Sequence, residues 1–119
     1  HACSAGGRRL IADPARLDQV EGWITHPNMW TRRAALVMTL PWTRLPNPKP
    51  ADVAVRHRIL GWAEALADDR DWFIQKAIGW WLRDLSKHDS GLTQDWIARH
   101  GERLRHFARK EALRHSDGA

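Results

Sequence analysis

Long apolar runs are missing from this chain. No stretch approaches the roughly 18 consecutive apolar residues that a membrane-spanning helix needs. No leader-like pattern of charged, apolar and small segments opens the sequence. A single cysteine, Cys3, excludes an internal disulfide and any cysteine-based zinc site, so the cysteine reads as a small apolar filler in a reducing compartment. The resulting expectation is a cytoplasmic protein with no membrane partner. Seven histidines, at 1, 26, 57, 88, 100, 106 and 115, show neither HExxH nor another ligand spacing, and no metal or cofactor is expected. Glycine-rich phosphate loops, a Gly-x-Ser-x-Gly elbow and the paired carboxylates of a hydrolase are also lacking. β-Branched alternation never persists, which removes sheet architectures from consideration.

What is present is tryptophan and positive charge. Eight tryptophans stand beside two phenylalanines and no tyrosine, so aromatic content is concentrated in the largest side chain. Nineteen Lys and Arg against 14 Asp and Glu give a net charge of +5, which favours polyanionic partners. A chain of 119 residues fits one domain with a real core. It opens His1-Ala2-Cys3, and its only methionines are Met29 and Met38, which reads as a piece of a longer protein.

Punctuation along the chain is helical. Asp13-Pro14 reads as an N-cap followed by the first helical residue, and His26-Pro27-Asn28 ends that helix and caps a second that runs to about Pro41. Residues 41 to 50 hold four prolines and read as a connecting loop rather than regular helix, with Pro50 opening the next helix. Helices are then expected over about 51 to 67 and 71 to 87. Asp89-Ser90-Gly91 breaks the pattern before a helix striped by Leu92, Trp96, Ile97 and Leu104, and a last one is anchored by Phe107, Ala108 and Leu113. Helix, turn, helix, loop, repeated, suggests an all-α helical-repeat stack of antiparallel pairs forming one unit over 1–119, although no strict sequence period is visible.

Two helices carry anomalies. Over 71 to 87, Ile74, Ile78, Trp81 and Leu85 fall on one line facing the core, while Lys76, Trp80, Arg83 and Lys87 fall nearly opposite. A large ring among cations suits contact with a sugar or base while the charges hold phosphates, or else a ring packed on a neighbouring repeat beneath lysine and arginine stems. Gly79, about 1 kcal/mol worse than alanine in a helix, implies a close approach to the backbone there. In the helix from Asn28, Arg33 lies inside an apolar arc of Met29, Leu36, Val37 and Leu40, bordered by Trp30. Such an arginine meets a carboxylate, snorkels out, or lines a cleft that accepts a phosphate. Residues 99 to 115 concentrate charge, with Arg99, Arg103, Arg105, Arg109, Lys110 and Arg114 against Glu102 and Glu111. That run fits a solvated face or a phosphate backbone equally well.

Trp23-Ile-Thr-His-Pro-Asn-Met-Trp30-Thr-Arg-Arg33-Ala-Ala-Leu-Val37 and Phe73-Ile-Gln-Lys-Ala-Ile-Gly-Trp80-Trp-Leu-Arg-Asp-Leu-Ser-Lys87 resemble the AlkD-like DNA alkylation repair glycosylases, as does the closing Ala108-Arg-Lys-Glu-Ala-Leu-Arg-His115. The resemblance runs from about residue 8 to 116. It implies a solenoid of HEAT-like helix pairs whose concave basic surface cradles double-stranded DNA, and excision of cationic alkylated purines such as 3-methyladenine and 7-methylguanine without metal or cofactor. It carries two cleft residues onto Arg33 and Trp80 and, less directly, phosphate contacts onto Lys76, Arg109 and Lys110; Trp30, Arg83 and Lys87 join them as expected DNA contacts through their places on the same helix faces. The family's essential aspartate belongs to a Trp-x-x-x-Asp segment that precedes the part represented here. The expectation is therefore a C-terminal half that binds DNA weakly without turnover and, with an apolar repeat face left open, self-associates through its first helices. A non-catalytic DNA-binding relative and a HEAT-like protein scaffold are the competing readings.

Overall fold

A computed structural model describes residues 14–45 and 47–114. Cys3, the Asp13 cap, His1 and His115 lie outside the described residues. The described chain is helical throughout. A 3-10 turn, Pro14–Arg16, leads into α1 (Leu17–Gly22), and a second, Trp23–Thr25, leads to α2 (Met29–Val37). Next come α3 (Leu40–Thr43), α4 (Pro50–Leu66), α5 (Trp72–Ser86), α6 (Ser90–His100), a 3-10 turn Gly101–Arg103, and α7 (His106–Ala112). This is the all-α helical repeat that the punctuation implied.

Side-chain caps open three of the seven described α-helices. Asn28 Oδ1 accepts hydrogen bonds from the backbone N–H of Trp30 at 2.9 Å and Thr31 at 3.3 Å, while Asp71 and Asp89 accept from Phe73 and Leu92 at 2.8 and 3.1 Å. Each satisfies an amide that has no intrahelical partner. Pro50 opens α4 as expected.

The structure corrects the reach of α2. It ends at Val37 rather than near Pro41, because a proline at 41 has no N–H to offer the Val37 carbonyl and its ring would collide with that oxygen. The chain turns at Met38 and Thr39 and re-forms as α3, with Pro41 in its first turn, where a missing N–H is harmless. The segment expected to be wholly irregular from residue 41 thus begins with helix. Buried Arg56, reaching from α4, donates to the carbonyls of Trp42 at 2.8 Å, Thr43 at 3.4 Å and Leu45 at 3.2 Å. Those contacts place a cation at the negative end of α3 and stabilise so short a helix.

α5 is the axis of the molecule, packed by α2, α3, α6 and α7. Ile74, Ile78, Trp81 and Leu85 are fully buried, as the 4, 3, 4 spacing required. Ala77, Leu82 and Gln75 are buried as well, so the helix exposes little beyond one strip. The close approach at Gly79 is real. A Cβ there would stand 3.0 Å from the Ala108 carbonyl oxygen and 3.3 Å from the Glu111 Cβ, so glycine lets α7 cross α5 at short range.

Gln75 is a determinant that periodicity does not flag. Its amide donates to the Ala67 and Asp69 carbonyls at 2.9 and 2.5 Å, and its Oε1 accepts from the Arg105 backbone N–H at 2.9 Å. One buried side chain therefore ties the α4–α5 turn to the chain entering α7. Gln75→Leu leaves all three backbone groups without that partner and is expected to cost about 2 kcal/mol. A thermal melt should show a midpoint lower by on the order of 10 °C.

The first helices are held by charge. Arg58 on α4 pairs with Glu21 at 3.1 Å and Asp18 at 2.7 Å, and Trp62 Nε1 donates to Glu21 at 2.7 Å. Hydrogen bonds from Arg58 and Trp62 hold the Glu21 carboxyl below its ordinary range. A carboxyl lowered in the folded state contributes stability above its unfolded value and loses it as pH falls through the folded one. The stability of wild type should therefore decline on the acid side of the ordinary glutamate range more steeply than that of Glu21→Gln, as denaturant titrations at stepped pH will show. Glu21 is half exposed, so solvent screening keeps the difference small.

Candidate nucleic-acid interface

The eight tryptophans divide by environment. Trp42, Trp62, Trp81 and Trp96 are buried, and three of their indole N–H groups are satisfied, by Glu21, by Thr39 Oγ1 and by the Leu60 carbonyl. Trp30 and Trp72 are exposed, and Trp80 is partly so. Four rings thus build the core, Trp23 packs against it partly buried, and Trp30, Trp72 and Trp80 gather along α2 and α5.

Arg33 stands between two of them. Its guanidinium carbon lies 5.9 Å from the ring centre of Trp30 and 5.9 Å from that of Trp80. Lys76 Nζ lies 5.5 Å from the Trp80 ring and 5.3 Å from that of Trp72. All four distances are within cation–π range. Trp30 and Arg33 share a face of α2 at i, i+3, and Trp72, Lys76 and Trp80 share one of α5 at i, i+4, i+8, so the packing of α2 on α5 alternates rings and cations along their shared surface. Among the described residues, Arg33 and Lys76 have neither an ion pair nor a hydrogen bond. The charge inside the apolar arc thus meets no carboxylate among the described residues and lies between two aromatic rings.

The adjacent arginine shows the contrast. Arg32 pairs with Asp69 at 3.1 Å and donates to the His26 and Pro27 carbonyls at 2.8 and 2.9 Å. It fastens the start of α2 to the α4–α5 turn and thereby fixes where Trp30 and Arg33 sit.

The other expected contacts separate. Arg83 is bound to Glu111 at 2.6 Å across the α5–α7 crossing, and Lys87 lies 3.7 Å from Asp84, which also accepts from Arg44 at 2.7 Å. These two cations have internal carboxylates, so the single line drawn through Lys76, Trp80, Arg83 and Lys87 splits in space into an unneutralised half and a paired half. Arg109 and Lys110 are exposed and have no ion pair among the described residues. With His106 and Leu113 they line a separate shallow hollow of about 330 Å³ on α7. Sequence reasoning missed Trp72 and Phe73 beside these rings, whereas Phe107, expected to anchor the last helix, is partly buried against the core. Trp30 and Phe73 rings are 4.7 Å apart, Trp72 and Phe73 5.2 Å, and Trp72 and Phe107 5.5 Å. Apolar residues in the first turn of a helix read as core, and only the exposure of Trp72 and Phe73 at 47 % and 41 % says otherwise.

No group of three or more potential metal ligands occurs among the described residues, and none of their helices is long and apolar enough to cross a membrane. Fold and side chains together define a helical-repeat protein in which unpaired cations stand among aromatic rings between α2 and α5. The sequence model of the family described as DNA alkylation repair enzyme matches residues 1–116, and the chain belongs to that family. No curated protein sequence matches it. Membership gives the chain a role in enzymatic DNA repair and DNA as its substrate class.

Proposed function

We propose that the α2–α5 cleft holds alkylated double-stranded DNA, and that the whole protein excises N3- and N7-alkylated purines by hydrolysing the N-glycosidic bond. The observation that carries this reading is Arg33, unpaired between the rings of Trp30 and Trp80. An uncompensated guanidinium on an aromatic-walled surface is suited to a phosphate, which it engages through two parallel N–H donors. Lys76 adds a second phosphate contact, and the faces of Trp80 and Trp30 meet deoxyribose or base. Arg109 and Lys110 follow the strand at greater distance. Arg83 and Lys87, already paired, contribute less.

An N3- or N7-alkylated purine carries a positive charge. When the C1′–N bond breaks, the purine departs neutral with the bonding electrons, the sugar becomes cationic, and water adds at C1′ and loses a proton. Catalysis then consists of stabilising positive charge on the sugar. Arg33 and Lys76 oppose such charge unless phosphates neutralise them. The cleft therefore positions DNA, and the Trp80 ring face favours a cation only beside a carboxylate, which the family resemblance assigns to the upstream Trp-x-x-x-Asp segment.

Single-turnover assays on methylated duplex test this. The protein that includes the upstream aspartate should release 3-methyladenine, whereas these 119 residues should bind duplex with marked salt dependence and release nothing. The lack of carboxylate partners on Arg33 and Lys76 also favours a second reading, a relative that binds DNA without excising bases. Failure of the longer protein to release any methylated purine selects it, and absence of salt-sensitive duplex affinity selects the protein scaffold.

A further inference from the structure

His26 is exposed and has no role in the function above, yet its ring closes a turn. The backbone N–H of Asn28 donates to His26 Nδ1 at 3.0 Å across Pro27. Asparagine and aspartate close such turns through a side-chain oxygen that accepts from the N–H two residues on. Here an imidazole nitrogen stands in for that oxygen. An Nδ1 that accepts an N–H must itself lack a proton, so the bond exists only for the neutral ring with its hydrogen on Nε2.

That turn supports the start of α2. Asn28, extended beside it, caps the Trp30 and Thr31 amides through Oδ1, and its carbonyl accepts the Arg32 N–H at 3.2 Å. The His26 and Pro27 carbonyls take the Arg32 guanidinium, whose Nε reaches Asp69. Trp30 and Arg33 lie within the first turn and a half of the helix so fixed. A proton on Nδ1 turns the acceptor into a donor aimed at another donor, and the turn loses its closing bond. The charged groups around it offer no compensation. Arg32 on α2 is itself a cation, Asp69 in the α4–α5 turn is bound to it, and Asp18 and Glu21 on α1 are bound to Arg58 on α4. His26 has no ion pair among the described residues.

We propose that His26 is a positioning residue that makes DNA binding proton-sensitive: the neutral ring sets the start of α2, and with it Trp30 and Arg33, and acidification releases them. The proposal rests on the α2–α5 cleft being a DNA surface, and it does not require base excision. Histidine is the side chain that ordinarily changes charge between about pH 5 and 8. Loss of one neutral hydrogen bond shifts a local equilibrium about fivefold, and affinity falls with the fraction of molecules that keep the binding geometry.

The test measures affinity for a fluorescent paired duplex by anisotropy at about pH 8 and about pH 5.5, at one ionic strength, for wild type, His26→Asn and His26→Ala. Asparagine supplies a non-titrating acceptor for the same bond, alanine supplies none, and thermal melts verify that each variant is folded. At the higher pH wild type and His26→Asn should agree within about twofold, and His26→Ala should bind about fivefold more weakly. At the lower pH wild type should fall about fivefold below His26→Asn and match His26→Ala. The remaining histidines gain charge in all three proteins and cancel in these ratios. Solvent exchange of the Trp30 and Thr31 amides, followed by NMR, should give the same order without DNA. A ratio of wild type to His26→Asn that is the same at both pH values, in affinity and in amide exchange, overturns the proposal and leaves DNA binding intact. An alanine variant equal to wild type at the higher pH overturns it as well. Amide exchange in the expected order in a protein that binds no duplex upholds the positioning role and sinks the DNA reading of the cleft.

Discussion

On the function proposed above, Trp80→Ala, introduced into a longer protein bearing the aspartate that the family resemblance places upstream, is expected to slow single-turnover release of 3-methyladenine by about thirtyfold. The ring is partly exposed, flanked by Arg33 and Lys76, and held on the one strip of α5 that does not face the core. When DNA phosphates occupy those cations, the ring face is left to the sugar. A desolvated cation over tryptophan is worth about 2 kcal/mol, which corresponds to the stated rate effect. Trp80→Phe keeps a weaker ring and should fall between the two. Because the ring lies outside the buried set, the thermal midpoint of the alanine variant should stay within a few degrees of wild type. A rate loss accompanied by a large loss of stability would assign the ring to packing instead.

Arg33→Ala carries the second large effect, read as binding rather than rate. Removing one phosphate contact should weaken duplex affinity about tenfold at moderate salt and reduce the slope of log affinity against log salt by about one. The neighbouring Arg32→Ala should behave differently. It breaks the tie to Asp69 and to two backbone carbonyls, so its main consequence is lost stability. Two adjacent arginines thus give opposite signatures, one in the salt slope and the other in the melt. Arg33→Lys should restore most of the slope but less of the affinity, since an ammonium holds a phosphate as a point charge rather than through a fork.

How far the sequence carried these conclusions depended on the scale of the interaction. Helix positions were legible because caps and prolines act within four residues, as at Asn28, Asp71 and Pro50. The buried line of α5 was legible for the same reason. The break at Val37 was also encoded in Pro41, through the carbonyl four residues back, but the apolar arc running on to Leu40 masked it. Arg33 and Trp80 stood out as exceptions to patterns, a charge in an apolar arc and a ring among cations, and the structure brings them together. What periodicity does not contain is which cation finds a carboxylate on another helix. Arg83 and Lys76 look equivalent on a wheel of α5, yet Glu111, 28 positions beyond Arg83, takes one and leaves the other. Gln75 was hidden likewise, since its three partners lie on the preceding turn and on the approach to α7. Trp72 and Phe73 have the composition of core, and only their exposure and mutual contact reveal surface rings.

The central claim is that one cleft, and not net charge spread over the surface, engages DNA. A salt series of anisotropy titrations on a paired duplex tests it, using wild type, Arg33→Ala/Trp80→Ala, and Arg44→Ala/Arg99→Ala as a control that removes cations paired with Asp84 and Asp95. Loss of about two orders of magnitude in affinity with a shallower salt slope for the first variant, and near wild-type behaviour for the control, is the predicted result. Equal losses in the two variants, or none in the first, would contradict it.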